Sequence, residues 1–456
     1  MGTLVIRNFT DFNPKDDKGW TPIHAAATKG HLEICREIVH SLISNNVTDV
    51  NPRDCKVWTP LHVAAVYGHK EIWRLIATAI VKQNQQGHLG ICETTFCSTV
   101  IKNFSNFNNL ENDVNPKDNE GSTPLHFAAA QGQLEVCHLI IFSLIVDNTD
   151  VIDINPRDNI NQTPLHLAAM SNHKEVWQFI ADTIEDQKPE EDLNPKDKTG
   201  WTPLHLAAAK GHLEMCQTIV SRLVDRKFTD FNPKDDKGST PFHLAAKLGH
   251  LEICRLIINV LIINKVEEIN PRDNINKTPL HQAALFGQTE TWKFIADTIE
   301  DNNPEGDINP KGTGGRTPLH LAAASGHLET SKVIINKITD INPRDDTNQT
   351  PFLKAVVYGH RELAKFIADQ LPEIDVNPKG HYIRGRTPLH IAAAKGDLEM
   401  CKIIIDKVSD IDPRDDDNLT PFLTAVKYGH KELARFIAGK LQDKNQKDDM
   451  DSTPLE

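Results

Sequence analysis

The stretch DLNPKDKTGWTPLHLAAAKGHLEMCQTIVSRL, residues 192–223, is the clearest copy of the unit that decides the fold. Pro195 fixes the φ angle of a turn, and Gly200 allows the chain to reverse. Thr202 can cap a helix by accepting a backbone N–H. Pro203 suits the first helical position, where its missing donor costs nothing. The first half of the stretch therefore predicts a turn followed by a short helix.

The second half of the stretch predicts another helix. Gly211 ends the first helix, because glycine adopts the left-handed conformation of a helix C-terminus at little cost. Beyond it, apolar residues recur at the spacing of one buried helix face, at Leu213, Cys216, Val220 and Leu223. The whole unit is therefore a turn, a helix, a second turn and a second helix.

The unit recurs along nearly the whole chain. Apart from one gap of 64 residues, successive copies of its Thr-Pro dipeptide lie 33 to 40 residues apart. A fixed period of roughly 20 to 50 residues is typical of repeat architectures, in which each unit buries its apolar face against its neighbours. The dipeptide begins at Thr21, Thr59, Thr123, Thr163, Thr202, Thr240, Thr278, Thr317, Thr350, Thr387, Thr420 and Thr453.

The position that ends the first helix indicates the same backbone requirement in every full copy. The one exception to glycine there is Asn172, and asparagine is the next residue most able to adopt the left-handed conformation. We therefore expect a left-handed residue at this position throughout. The glycines are Gly30, Gly68, Gly132, Gly211, Gly249, Gly287, Gly326, Gly359, Gly396 and Gly429.

These units resemble ankyrin repeats, on the strength of the motifs TPLHLAA at 202–208 and GHLE at 211–214 and their copies. The resemblance implies an all-α solenoid of stacked helix-turn-helix units joined by β-hairpin fingers, with about eleven repeats and a truncated twelfth. It also implies a concave face made of fingers and first helices. The chain departs from the family pattern because Pro follows the finger Asn almost everywhere, as in Asn13-Pro14. We therefore expect longer second helices.

The spacing divides the chain into four parts. Residues 1–81 hold repeats 1 and 2 with a partial N-terminal cap, and residues 82–112 form an irregular half-repeat or hinge. Residues 113–442 hold repeats 3 to 11, and residues 443–456 are a polar tail that ends in the start of a truncated repeat. Terminal repeats normally need a polar outer face, whereas both ends of this chain are partial repeats. We therefore expect the chain to be a segment of a longer array.

Composition and charge exclude several classes of protein. Fifty Lys and Arg against sixty-three Asp and Glu give a net charge of −13, which argues against a general nucleic-acid binder. The longest apolar run, residues 253–263, is interrupted by Arg255 and Asn259, so we expect no transmembrane segment. The N-terminus has no secretory signal. The sequence predicts a cytoplasmic protein, with a nuclear location as the alternative.

The histidines and cysteines repeat with the unit, which favours a structural role. A metal site needs three or four convergent ligands, whereas the histidines form a ladder. We expect those after Thr-Pro to bridge backbone groups and Thr hydroxyls. The cysteines of the second helices are expected to be small buried residues. These two sets are His24, His62, His126, His166, His205, His243, His281, His320 and His390, and Cys35, Cys92, Cys137, Cys216, Cys254 and Cys401.

Each finger carries a base after its Pro, which could form a positive stripe for an acidic peptide or an anionic membrane headgroup. Asp follows nine of the eleven bases, with Gly312 and Gly380 as the exceptions, so local charge neutralisation is the favoured interpretation. The bases are Lys15, Arg53, Lys117, Arg157, Lys196, Lys234, Arg272, Lys311, Arg344, Lys379 and Arg414.

Two positions vary within this nearly invariant frame. The finger-root row, just before each Thr-Pro, is Trp20, Trp58, Ser122, Gln162, Trp201, Ser239, Lys277, Arg316, Gln349, Arg386 and Leu419. The helix-end row, just before each helix-ending residue, is Lys29, Tyr67, Gln131, Ser171, Lys210, Leu248, Phe286, Ser325, Tyr358, Lys395 and Tyr428. The family resemblance implies that both rows contact a partner. The alternative is that their aromatic residues pack against neighbouring fingers.

The function predicted from the sequence is a non-catalytic scaffold that binds a protein or peptide, with no cofactor or metal. No nucleophile–base signature or phosphate-binding loop is present in the sequence. We expect a monomer. The alternatives are the recognition arm of a larger enzyme or channel and a membrane-surface adaptor that uses the basic fingers. The predicted partner contacts are Trp20, Trp58, Tyr67, Trp201, Leu248, Phe286, Arg316, Tyr358, Arg386 and Tyr428.

Overall fold

The structure, a computed structural model, describes most of the chain as paired helices. The described residues are 13–47, 49–84, 114–146, 153–226, 230–266, 268–303, 306–371, 384–408 and 410–451. In these ranges the chain forms twenty-two α-helices, which alternate between a first and a second helix of each repeat. They belong to two compact units, residues 1–236 and residues 237–456. The all-α repeat fold predicted from the sequence is confirmed.

The first helices carry odd numbers and the second helices even numbers, so each consecutive pair is one repeat. The first helices are α1 (Pro22–Lys29), α3 (Pro60–Tyr67), α5 (Pro124–Ala130), α7 (Pro164–Met170), α9 (Pro203–Lys210), α11 (Pro241–Leu248), α13 (Pro279–Leu285), α15 (Pro318–Ser325), α17 (Pro351–Tyr358), α19 (Pro388–Lys395) and α21 (Pro421–Lys427). The second helices are α2 (Leu32–Ser44), α4 (Lys70–Asn84), α6 (Leu134–Val146), α8 (Lys174–Gln187), α10 (Leu213–Asp225), α12 (Leu251–Ile263), α14 (Thr289–Asn302), α16 (Leu328–Ile335), α18 (Arg361–Gln370), α20 (Leu398–Ile405) and α22 (Lys431–Asp451).

The first helices begin and end as their sequence predicts. Thr202 is the extended residue before α9, Pro203 is its first residue, and the Thr202 hydroxyl accepts a hydrogen bond from the backbone N–H of His205 at 3.4 Å. The helix-ending glycines all have φ between 70° and 81°, and Asn172 has φ 62°. The left-handed residue expected at this position is therefore confirmed, including the one asparagine.

The core of each unit is the continuous layer between successive repeats. Within a unit, each first helix packs against the next first helix through small residues, and Ala207 and Ala208 of α9 are fully buried. Trp73, Trp177 and Trp292 are buried on second helices and belong to this core. The cysteines of the second helices are buried as expected in five copies, and Cys92 lies outside the described residues.

The second helices run longer in the first seven repeats than in repeats 8 to 10, whereas α22 in the last repeat has 21 residues. They have 13 to 15 residues from α2 to α14, but α16 and α20 have 8 residues each. The longer helices accompany the longer repeat spacing of 38 to 40 residues. The expectation of extended second helices therefore holds for only part of the array.

The expectation of β-hairpin fingers was wrong, because no residue in the described ranges forms a β-strand. In the described fingers that carry the aspartate, its side chain closes the turn, so that Asp16 Oδ1 accepts the backbone N–H groups of Lys18 and Trp20 at 2.8 Å. Pro14 has no N–H to offer a strand partner. Consecutive described fingers consequently share a single backbone hydrogen bond, such as Cys55 N to Lys18 O at 3.0 Å.

Several sequence predictions fall wholly or partly on residues outside the description. Residues 85–113 lie outside it, and they include most of the expected hinge at 82–112. Residues 1–12, from the expected N-terminal cap, and residues 452–456, from the truncated repeat, also lie outside it. Among the described helices, none combines the length and the hydropathy that a membrane span requires.

Candidate partner-binding surface

The histidine that follows Thr-Pro in most repeats connects its own helix start to the finger root of the next repeat. His24 Nδ1 accepts the backbone N–H of Thr21 at 3.2 Å and lies 2.9 Å from the Thr21 hydroxyl. His24 Nε2 lies 3.2 Å from the backbone carbonyl of Trp58. Because a carbonyl oxygen only accepts, Nε2 carries the proton and the ring is neutral. The bridging role predicted for these imidazoles is confirmed.

The same bridge recurs in both units and fixes the backbone of the finger-root row. Burial lowers the pKa of His62, His126, His166, His281 and His320 to about 4, so these rings are neutral near pH 7. Each accepting carbonyl belongs to a finger-root residue. The Nε2 to carbonyl distances are 3.3 Å for His62 to Ser122, 3.1 Å for His126 to Gln162, 3.2 Å for His166 to Trp201, 3.0 Å for His243 to Lys277, 3.1 Å for His281 to Arg316, 2.9 Å for His320 to Gln349 and 2.9 Å for His390 to Leu419.

The aspartate after the finger base is a second connector, a role that the sequence did not reveal. Asp54 Oδ1 accepts the backbone N–H groups of Lys56 and Trp58 at 2.8 Å, which closes its own turn. Asp54 Oδ2 accepts the indole N–H of Trp20, in the preceding repeat, at 3.1 Å. The signal in the sequence was the constant spacing of four residues between this Asp and the finger root.

The finger-root row is therefore partly engaged within the protein. Trp58 Nε1 donates to Asp118 at 3.0 Å, Trp201 Nε1 donates to Asp235 at 3.1 Å, and Arg386 Nε donates to Asp415 at 3.3 Å. Such charge-assisted hydrogen bonds hold a side chain in one orientation. The structure thus gives these residues a neighbouring finger as partner, which is the alternative that the sequence left open.

The tryptophans of this row are nevertheless only half-buried. Trp20 stacks on His24 with ring centroids 5.6 Å apart, and Trp201 stacks on His205 at 6.1 Å. Trp58 stacks on His62 at 6.2 Å. Each indole is thus held by its N–H and by the ring of its own repeat, while part of it remains accessible.

The apolar members of the helix-end row are all exposed. They emerge at the last turn of the first helix, next to the left-handed residue. Lys247 Nζ lies 5.0 Å from the centroid of the Phe286 ring, which places a positive charge against one aromatic of the row. The exposed fractions are 53% for Tyr67, 45% for Leu248, 43% for Phe286, 61% for Tyr358 and 48% for Tyr428.

The two predicted arginine contacts differ in exposure. The Arg316 side chain is 52% exposed, and its Nε lies 3.9 Å from Asp345 Oδ2. The Arg386 side chain is 20% exposed and is held closer to Asp415. Arg316 is therefore the more accessible cation of the pair.

The finger bases also make contacts that the sequence did not indicate. Lys15 Nζ donates to the carbonyl of Arg53 in the next finger at 3.1 Å, and Lys117 Nζ donates to that of Arg157 at 3.0 Å. These bases bond to the next finger rather than neutralise the adjacent Asp. Lys379 lies outside the described residues. In the described ranges, no three His, Cys, Asp or Glu side chains converge as metal ligands would.

Family models for ankyrin repeats match almost the whole chain. The model for ankyrin repeats in three copies matches residues 2–87, 140–230, 218–305, 298–380 and 374–448. The model for a single ankyrin repeat matches residues 120–159. The resemblance stated from the repeated motifs is thereby confirmed. A comparison with curated proteins finds no match.

Proposed function

The chain belongs to the ankyrin repeat family, and we propose that it is a non-catalytic scaffold that binds a protein or peptide through its helix-end and finger-root rows. Ankyrin repeats generally mediate protein–protein interactions. The proposal assigns that interaction to the side chains that vary from repeat to repeat, since the repeating ones are occupied in holding the array together.

The observation that carries the proposal is the exposure of the helix-end row. Tyr67, Leu248, Phe286, Tyr358 and Tyr428 are between 43% and 61% exposed on helices whose repeating residues are buried. Aromatic anchors dominate the binding energy of protein interfaces, where truncation of one typically costs about 2 kcal/mol or more. Rigid helices present these side chains at a low cost in conformational entropy.

The finger-root row supports the same proposal in a second way. Trp20, Trp58 and Trp201 are held by a hydrogen bond to an aspartate and by stacking, so their accessible surfaces are preorganised. Preorganised contacts lose less freedom on binding than flexible ones do. Arg316 adds an exposed cation to the row, which favours a partner with acidic groups at that point.

The test is affinity capture from cells with a variant whose helix-end row is polar. The variant is Leu248→Ser, Phe286→Ser, Tyr358→Ser and Tyr428→Ser. Its matched control is Phe142→Ser with Ile263→Ser, since these are exposed apolar residues of second helices, at 49% and 75%. We expect partners captured by the wild type and by the control to be lost from the helix-end variant. Equal capture by all three proteins would contradict the proposal.

The alternative functions have less support. A membrane-surface adaptor would use the finger bases, but Lys15, Lys117, Lys196, Arg157 and Arg272 donate to carbonyls of the next finger. It predicts salt-sensitive binding to anionic vesicles that disappears when several finger bases become Gln. An arm of a larger enzyme or channel predicts a longer transcript that encodes another domain. We propose a monomeric, cytoplasmic protein, which sedimentation and fractionation test directly.

A further inference from the structure

Fingers 1 and 2 enclose a cleft that no other pair of fingers can match in sequence. It has a volume of about 610 Å³ and is lined by Lys18, Trp20, Asp54, Cys55, Lys56 and Trp58, with Asp16 at one side. That volume lies in the range of sites that bind small ligands or a few residues of a peptide. Among the eleven fingers, only these two combine a finger-root Trp with a Lys two residues earlier, and they are consecutive.

The two indoles of the cleft can offer only their ring surfaces to a ligand. Trp20 Nε1 donates to Asp54 at 3.1 Å, and Trp58 Nε1 donates to Asp118 at 3.0 Å. Both N–H groups are therefore occupied. Stacking on the histidines of their own repeats holds the rings in place, so a flat apolar group can pack on them without reorganisation.

The two lysines and two aspartates of the cleft balance in formal charge, but the groups that are free to form hydrogen bonds favour an anionic ligand. Lys18 and Lys56 are exposed, and neither ammonium group forms an ion pair or hydrogen bond with another described residue. Of the acids in the lining, Asp54 accepts three hydrogen bonds through its two oxygens, and Asp16 accepts two backbone N–H groups through one oxygen. The groups free to bond a ligand are thus the two ammonium groups, together with one Asp16 oxygen.

We propose that this cleft binds a proline flanked by acidic residues in a peptide segment of the partner. The pyrrolidine ring packs on the indoles of Trp20 and Trp58, as proline-rich segments do in aromatic-lined grooves. The neighbouring carboxylates pair with Lys18 and Lys56. A cationic ligand such as a methylated lysine would also favour the indoles, but it could not accept the hydrogen bonds that Lys18 and Lys56 offer. This proposal rests on the proposed function and names one subsite of it.

The probe is the acetylated, amidated hexapeptide Glu-Glu-Pro-Pro-Glu-Glu, compared with Lys-Lys-Pro-Pro-Lys-Lys and Glu-Glu-Ser-Ser-Glu-Glu. Cys55 lines the cleft and is exposed, so its alkylation by iodoacetamide reports occupancy. Mass spectrometry of the fragment that contains Cys55 isolates this signal in the full chain. We expect the acidic proline peptide to slow alkylation at least fivefold in a saturable way, and the other two peptides to change it less than twofold.

Variants separate the cleft from its surroundings. The peptide concentration needed for half-maximal protection should rise at least tenfold in the double variant Lys18→Gln, Lys56→Gln. It should rise as much in the single variant Trp20→Phe. Trp201→Phe is the matched control, because Trp201 has the same indole bond to an aspartate and the same stacking but no tryptophan at the next finger root. Circular dichroism melting checks that each variant folds, and the lysine variant leaves every described contact intact.

Two results would overturn the inference. One is equal protection by the acidic and basic proline peptides, and the other is wild-type protection in the lysine variant. If the wild type captures a cellular partner that the lysine variant binds equally well, the cleft proposal fails while the scaffold function stands. If the helix-end variant still captures the cellular partner while the peptide protects Cys55 in the wild type, the proposed function fails and the cleft proposal stands.

Discussion

The two compact units place their accessible apolar side chains at different positions of the same repeat. In residues 1–236, three of the five tryptophans lie in the finger-root row, and the helix-end row there is polar except for Tyr67. In residues 237–456 the pattern reverses, because the helix-end row carries four of the exposed apolar residues. Those four are Leu248, Phe286, Tyr358 and Tyr428.

This difference shows that the two rows are under different physical constraints. A finger-root residue faces the aspartate of the next finger, so Trp, Gln and Arg serve there as N–H donors as well as exposed surface. A helix-end residue, by contrast, directly precedes the left-handed residue that ends the first helix. In unit 2, its apolar members can vary without breaking a described hydrogen bond. The helix-end row of unit 2 is thus the less constrained of the two candidate surfaces.

The units also differ in their histidines. All five first helices of residues 1–236 carry the bridging histidine, but two of the six in residues 237–456 carry Leu353 or Leu423 instead. In the first of these repeats, Lys354 Nζ lies 2.6 Å from Gln349 Oε1 and 3.1 Å from Asp345 Oδ2. A buried ion pair is present where other repeats have a neutral imidazole bridge.

The largest expected effect is acid unfolding, which should reach residues 1–236 first. The pKa of a buried histidine here is about 4 in the folded chain, against 6.5 unfolded, so its stabilisation is complete above pH 6.5 and is lost as pH falls towards 4. Each such histidine adds a slope of up to about 1.4 kcal/mol per pH unit. Hydrogen exchange resolved by peptide, corrected for intrinsic rates, should show loss of protection at higher pH in unit 1. His166→Leu should flatten the slope, and simultaneous loss in both units would remove this distinction.

The next effect concerns the helix-ending glycines. A Cβ on Gly132 would lie 2.5 Å from His173 Nδ1, whereas one on Gly359 meets nothing within 4 Å, although both residues have positive φ. Gly359→Ala should therefore cost only the left-handed strain of roughly 1–2 kcal/mol. Gly132→Ala should cost a further 1–3 kcal/mol or so because the imidazole must move. Urea unfolding of both variants measures the difference, and equal costs would contradict it.

A smaller effect separates the finger roots of the two units. Trp58→Phe removes the donor to Asp118, a nearly buried carboxylate, and should destabilise the fold by about 1–3 kcal/mol. Lys277→Ala is the matched change, since the next finger has Gly312 in place of the aspartate. It should alter the free energy of unfolding by about 0.5 kcal/mol or less. Similar losses in the two variants would mean that the indole bond does not stabilise the array.

The features that depend on short stretches of chain could be predicted from the sequence. The Thr-Pro helix start, the left-handed position and the pairing of Thr202 with His205 lie within ten residues of one another. The aspartate contacts could not be predicted, because Asp54 and Trp20 are 34 residues apart and meet only when repeats stack. The expected β-hairpins came from the family resemblance and overlooked the competition of an Asp side chain for the backbone N–H groups.

The candidate partner contacts stay a prediction. The finger-root and helix-end rows differ in their contacts with the next repeat, and the sequence alone does not show this difference. Trp201 and Tyr358 are both aromatic residues at variable positions. Only the structure shows that the first donates to Asp235 and that the second is 61% exposed. Exposure at these positions is set by the next repeat, which a single copy of the motif does not contain.

The most direct test of the account measures binding and stability on the same proteins. The dissociation constant of a captured partner is determined for the wild type and for the variant with Leu248, Phe286, Tyr358 and Tyr428 all changed to Ser, together with their melting temperatures. We expect at least a tenfold weaker affinity, about 1.4 kcal/mol, with a melting temperature close to that of the wild type. An unchanged affinity in the folded variant would contradict it.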